Sequence, residues 1–252
     1  MDRTELLTSL HLDKFIALDF ETTGLDFDSD RIIEVAAILF IDGVPSKTYN
    51  TLVNPGIPIP KLIEQITGIT NDMVVDSPRE KDIVDDLFKF IGSYPLVAHN
   101  TPFDLAFLKS LASRHNHNYQ DSKYYDTLTL SRAFLFFQPA HNLSAISDYY
   151  GLSTDGAHRA EYDTENCGKI FVELIEEAAS YNLDLISRII SLLKPFQSHN
   201  KDLFIDLGNQ LTKVGDLKNG LVNSTIIKPS SKNSVSYTHL RAHETPEHSG
   251  CP

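Results

Sequence analysis

The chain has 252 residues, 41% hydrophobic and 22% charged, ordinary for a soluble globular protein and long enough for one full domain with extensions. A formal net charge of −12 argues against a long basic track along a nucleic acid backbone, so any such contact must be short, local and metal-mediated; otherwise the charge only keeps the chain in solution. Cys167 and Cys251 lack CxxC spacing, which excludes a disulfide framework or zinc site and suits a reducing cytoplasm; the polar start reads as no secretory leader, and no apolar run is long enough for a membrane.

In chain order, residues 14–20 (KFIALDF) read as a buried strand that ends in an acidic motif. Residues 31–41 and 47–53 read as two further strands, joined as a hairpin by the turn IDGVP. Residues 60–69 and 71–75 are expected to be short helices, and 78–91 a longer one, with Ile83, Leu87, Phe88 and Ile91 on its apolar face. A short strand over 96–98 leads into a helix with Thr101 as N-cap, Pro102 at the first position and Phe103, Phe107, Leu108 and Leu111 as its stripe. Further helices are expected over 127–136, 143–150 and 161–180. Three strands first, then helices alternating with one more strand, give an α/β fold with a mixed sheet covered by helices. The apolar period continues through Ile186, Ile189, Ile190 and Leu193 as a helical extension.

Three stretches carry chemistry. Asp19 and Glu21 are two residues apart, which on a strand puts both carboxylates on one face, roughly 7 Å apart. Hard cations such as Mg²⁺ take such oxygen ligands. The following Thr22, Thr23 and Gly24 close the strand, and Gly24 permits a turn with a close backbone approach to a ligand. Asp104 alone could serve only the helix dipole, but His99 and Asn100 just before it offer hydrogen-bonding groups on the same loop. His158 and Asp163 would point about 140° apart on one helix. His158 is therefore placed in a loop, and Asp163 in the first turn of the helix that follows.

In these motifs, DFETTG, then HNTPFD, then H-x4-D, the chain resembles the DEDD exonuclease superfamily, with its ribonuclease H-like fold, over about residues 14–180. Within that superfamily it is similar to the DnaQ-like, histidine-containing branch. The other branch carries a Tyr four residues before the last Asp, where this chain has Arg159. The resemblance implies a 3′-5′ exonuclease in which Asp19, Glu21, Asp104 and Asp163 hold two Mg²⁺ or Mn²⁺ ions and His158 is the general base. It further implies release of nucleoside 5′-monophosphates from a single-stranded or frayed 3′ end of DNA, with RNA also open. Thr22, with Thr23 and Gly24 beside it, matches the contact to the terminal sugar, Leu25 the contact to the terminal base, and His99, Asn100 and Phe103 the contacts to the strand.

The alternative is a catalytically inactive exonuclease fold kept as a nucleic-acid-binding or interaction module. Inactive versions lose a metal ligand or the histidine, and none is missing here. A metal-dependent phosphatase would use similar carboxylates without this motif order. The expected organisation is a nuclease domain over 12–181, a helical extension over 182–214 and a linker over 215–234 rich in Lys, Asn and Ser. Residues 235–252 contain VSYTHLRAHET, similar to the translation of a sequencing-library adapter, and are read as a non-native tail. A covalently linked downstream domain is therefore expected, such as the helicase of DinG-like proteins or a polymerase, in a DNA replication or repair protein.

Overall fold

A five-stranded mixed sheet organises the computed structural model, which describes residues 2–153, 159–195 and 199–219. Strands β1 (Lys14–Thr22), β2 (Ile32–Ile41) and β3 (Val44–Leu52) form an antiparallel meander. The β2–β3 turn passes through Asp42 and Gly43, at φ 52° and 79°, the left-handed pair that a tight hairpin requires. Strands β4 (Leu96–Ala98) and β5 (Tyr124–Asp126) add in parallel on the other side of β1, giving the order β3-β2-β1-β4-β5.

Ten helices lie among the described residues: α1 (Arg3–Ser9), α2 (Lys61–Thr67), α3 (Asn71–Val74), α4 (Glu80–Ile91), α5 (Thr101–Arg114), α6 (Thr127–Phe134), α7 (Leu143–Tyr149), α8 (Ala160–Ala179), α9 (Leu183–Leu193) and α10 (His199–Asn219). They cover both faces of the sheet, and the period of two along β1 decides which side chain meets which layer. Phe15 and Ala17 enter a core with Ile170, Phe171 and Leu174 of α8, while Ile16, Leu18 and Phe20 enter a second core with Leu87 and Ile91 of α4 and Leu108 and Leu111 of α5. Each of these buried Phe, Leu and Ile side chains contributes about 1.5–3 kcal/mol. Helix α8 can lie tight on β2 because residue 168 is glycine: a Cβ there would sit 2.2 Å from the Phe40 ring. With both faces covered, β2 is an almost unbroken apolar run. Glu34 is the exception, and it is 1% exposed.

Four differences from the sequence expectations have physical reasons. Helix α1 was not anticipated; Asp2 and Glu5 cap it reciprocally, with bonds of 2.8 and 3.1 Å, and Leu6 and Leu7 join the α8-side core. Strand β5, also unanticipated, is three residues long and exists through its pairing with β4. Thr101 is the first residue of α5, not its N-cap; the cap is Asn100, in the left-handed region at φ 74°. Helix α10 runs to Asn219, into the stretch expected to be linker. The tail over 235–252 lies outside the described residues, as does His158.

Candidate metal centre

Asp19 and Glu21 continue the row of Phe15 and Ala17, so their side chains face α8 rather than α5. Asp163, the fourth residue of α8, meets them there: ligand oxygens of Asp19, Glu21 and Asp163 all lie within 4.8 Å of one another. Half-buried carboxylates at that spacing repel strongly and are poorly solvated. Burial, then the Asp163 and Glu34 carboxylates, push Asp19 up from its ordinary value of 3.8 to about 7. Burial, followed by Asp19, Asp163 and Glu34, pushes Glu21 to about 8, with Arg159 opposing. A divalent cation would relieve both penalties at once, so this donor set fits a hard cation.

Asp104 approaches from the other layer. β4 pairs with β1 at Ile16 and Ala17 and ends at Ala98, so further along β1 a backbone donor is left without a strand partner. Asp104, 2% exposed on the first turn of α5, accepts the Phe20 N–H at 3.2 Å. Its carboxyl is raised well above the usual carboxylate range by burial and by Asp19, with the Phe20 N–H working against them. The sequence motifs therefore converge at the end of β1, with three carboxylates in one group and Asp104 alongside.

The segment after β1 is a tight loop. Thr22 donates to the Gly24 carbonyl at 2.6 Å, and Thr23 donates to Asp30 at 2.8 Å while accepting the Arg31 N–H at 3.0 Å. Gly24 leaves room for Asp30: a Cβ would stand 2.4 Å from an Asp30 oxygen and push that carboxylate away from Thr23 and the Asp26 N–H. Ser110 and Arg114 of α5 both donate to the Phe27 carbonyl, fixing the loop from below. Leu25 is left 84% exposed at its tip, an apolar side chain held out by a braced backbone.

The second loop is organised by a residue that the sequence motifs did not single out. Asp126 Oδ1 accepts the N–H groups of Asn100 (2.9 Å) and Thr101 (3.2 Å) at the start of α5, and of Leu128 (3.3 Å) in α6. Its Oδ2 accepts Thr129 N–H at 3.2 Å. One carboxylate thus caps two helices, and the left-handed Asn100 follows from that grip. Asn200 of α10 in turn accepts the Asp126 N–H at 3.2 Å, partnering the edge strand as a neighbouring strand would. Asp126→Ala is expected to lower unfolding free energy by about 2–3 kcal/mol, since two caps are lost together; urea denaturation measures it, and a change under about 0.5 kcal/mol would contradict the double cap. The signal was present as Asp-Thr before a helical period, an N-cap pattern.

His99 is the neighbour of this clasp. Burial lowers its pKa, so the ring is neutral. The His141 carbonyl, 2.9 Å from Nε2, can only accept, which places a proton on Nε2; Nδ1 lies 3.0 Å from the Thr127 hydroxyl, which also donates to the Ala98 carbonyl at 3.1 Å. Both nitrogens are engaged within the protein, leaving the ring's carbon edge for any ligand. Phe103 packs at the rim of the α5-side core, its ring 5.0 Å from that of Phe107.

Residues 16–171, from β1 into α8, match the model of the exonuclease family RNase_T. The chain belongs to this exonuclease family. It is 36% identical over 170 residues to the DNA polymerase III subunit epsilon of Treponema pallidum, a match covering 67% of this chain and 79% of that one. The 3′-5′ exonuclease DinG of Bacillus subtilis is 32% identical over 197 residues, covering 77% of this chain but only 21% of the relative, so the chain spans about a fifth of that protein's length. Among solved structures, Exonuclease X in complex with 5′ overhanging duplex DNA aligns with a TM-score of 0.51 and 26% identity, covering 64% of this chain and 91% of that one. The exonuclease match ends within α8, so α9 and α10 lie beyond it. Among the described residues, no helix is long and apolar enough to cross a membrane.

Proposed function

We propose that the chain is a metal-dependent 3′-5′ exonuclease that hydrolyses DNA, and in principle RNA, from a 3′ end and releases nucleoside 5′-monophosphates in a reducing, cytoplasmic setting. The observation that carries this reading is the group of Asp19, Glu21 and Asp163, within 4.8 Å of one another, in a chain of the exonuclease family. These three and Asp104 would hold two Mg²⁺ or Mn²⁺ ions. When bound, the cations supply Lewis acidity that offsets charge on the attacking and departing oxygens of the phosphodiester.

The rest falls to the chain's own groups. His158, in the motif H-x4-D, takes the proton of the attacking water as general base. Leu25, exposed at the tip of its braced loop, provides an apolar surface for the terminal base. Thr22, Thr23 and Gly24 line the approach to the terminal sugar, and Asn100, His99 and Phe103 flank the preceding strand. A downstream domain, following α10, would set the biological context, in line with relatives much longer than this chain.

A 5′-labelled single strand incubated with the protein and Mg²⁺ should yield a ladder of shortened products. An intact strand that nonetheless binds would replace the enzyme with a binding module. His158→Ala should slow the ladder by roughly 10²–10⁴-fold while calorimetric Mn²⁺ binding is retained. Loss of Mn²⁺ binding in that variant would recast His158 as a ligand or structural residue.

A further inference from the structure

We propose that Glu34 and Arg159 form a positioning clasp that sets the divalent-cation affinity of the Asp19, Glu21 and Asp163 group by fixing the first turn of α8; this rests on the metal-dependent reading above.

Glu34 lies directly opposite Glu21 across the β1–β2 ladder, on the face that carries the metal-ligating group, and is 1% exposed. A carboxylate buried there adds repulsion to a cluster that is already anionic, so its retention calls for a compensating bond. Both of its oxygens have one, and both are directed at the helix end. Oε1 accepts Arg159 Nη2 at 3.0 Å, while Oε2 accepts the Ala160 N–H at 3.2 Å and Arg159 Nε at 3.4 Å. Glu34 accordingly falls outside the group of three carboxylates whose oxygens converge.

Arg159 is the N-cap of α8, and its own side chain makes no capping bond. Glu34 supplies the missing cap from strand β2, 126 residues away, with the charge favoured at a helix N-terminus. The grip passes directly to the ligand, because the Asp163 N–H donates to the Arg159 carbonyl at 3.2 Å. Neighbouring bonds latch the same turn: Asn50 donates to Glu161 at 3.0 Å, and Thr164 to the Ala36 carbonyl at 3.4 Å. Asp163 therefore meets Asp19 and Glu21 at a spacing set by where Glu34 holds residues 159 and 160.

Arg159→Met separates positioning from simple charge. Removing a positive charge beside the carboxylates would by itself tighten cation binding, and so would releasing Glu34 from its partner. Loss of the clasp acts in the opposite sense, by loosening Asp163. The experiment is calorimetric titration of the metal-free full chain with Mn²⁺, without nucleic acid, alongside thermal melts to confirm folding. The expected result is binding at least about five-fold weaker in Arg159→Met than in the wild type. Unchanged or tighter binding in the folded variant would overturn the clasp. Should Arg159→Met fail to fold, Arg159→Lys keeps the charge but not the two-pronged contact: weakening of about two-fold or more supports the clasp, and wild-type affinity overturns it. Absence of Mn²⁺ binding in the wild type would instead defeat the metal-centre reading itself.

Discussion

Asp19→Asn is expected to lower the exonuclease rate by roughly 10³-fold or more, equivalent to about 4 kcal/mol of transition-state stabilisation, while making the metal-free protein more stable at pH 8. The amide keeps the shape of the side chain but removes a charge and an anionic ligand from the group that includes Glu21 and Asp163. The stability gain has a separate origin. Burial and the Asp163 and Glu34 carboxylates hold Asp19 at about 7, so at pH 8 the wild-type side chain is ionised against that opposition. Asparagine carries no such penalty, and its N–H groups can donate to the adjacent carboxylates. A simple folding defect would lower both quantities together. Measured on a labelled strand and by melts in EDTA, more than about a tenth of the wild-type rate would contradict the ligand assignment, and a lower melting point would contradict the electrostatic account.

The parts legible in the sequence were those governed by local pattern. A continuous apolar run and turn chemistry placed β2 and the Asp42–Gly43 hairpin, and the two-residue spacing put Asp19 and Glu21 on one face of β1. The family motifs, in their order, supplied Asp104 and Asp163 as their companions. What escaped depends on partners distant in the chain. The three residues of β5 have little strand signal of their own and are ordered by β4. The α5 cap moved from Thr101 to Asn100 because Asp126, 26 residues further on, holds the Asn100 N–H. Glu34 is, in the sequence, one polar interruption of an apolar run; only its contact with Arg159 and Ala160 gives it a task. Helix α1 is the exception, since its reciprocal Asp2 and Glu5 cap was written in four consecutive residues.

The same carboxylates make the stability of the metal-free protein fall as pH rises from 5.5 to 8.5, and divalent cation should restore it. In the folded chain Asp19 is raised from 3.8 to about 7 and Glu21 from 4.5 to about 8. Between the unfolded and folded values the native state binds more protons than the unfolded chain, so unfolding free energy declines with pH. The contribution is complete below about pH 4 and lost as pH passes through 7 and 8. Across this window the two groups together account for a loss on the order of 5 kcal/mol. For a domain of this size that corresponds to a melting point roughly 10–20 °C lower. Mg²⁺ binds the ionised carboxylates, so saturating cation should flatten or reverse the trend and give its largest stabilisation at the alkaline end. Melts in EDTA and in Mg²⁺ at both pH values measure the effect. A melting point in EDTA that is level or rises across the window would mean that the carboxylates are not held apart from water, removing the electrostatic reason for a cation to bind there.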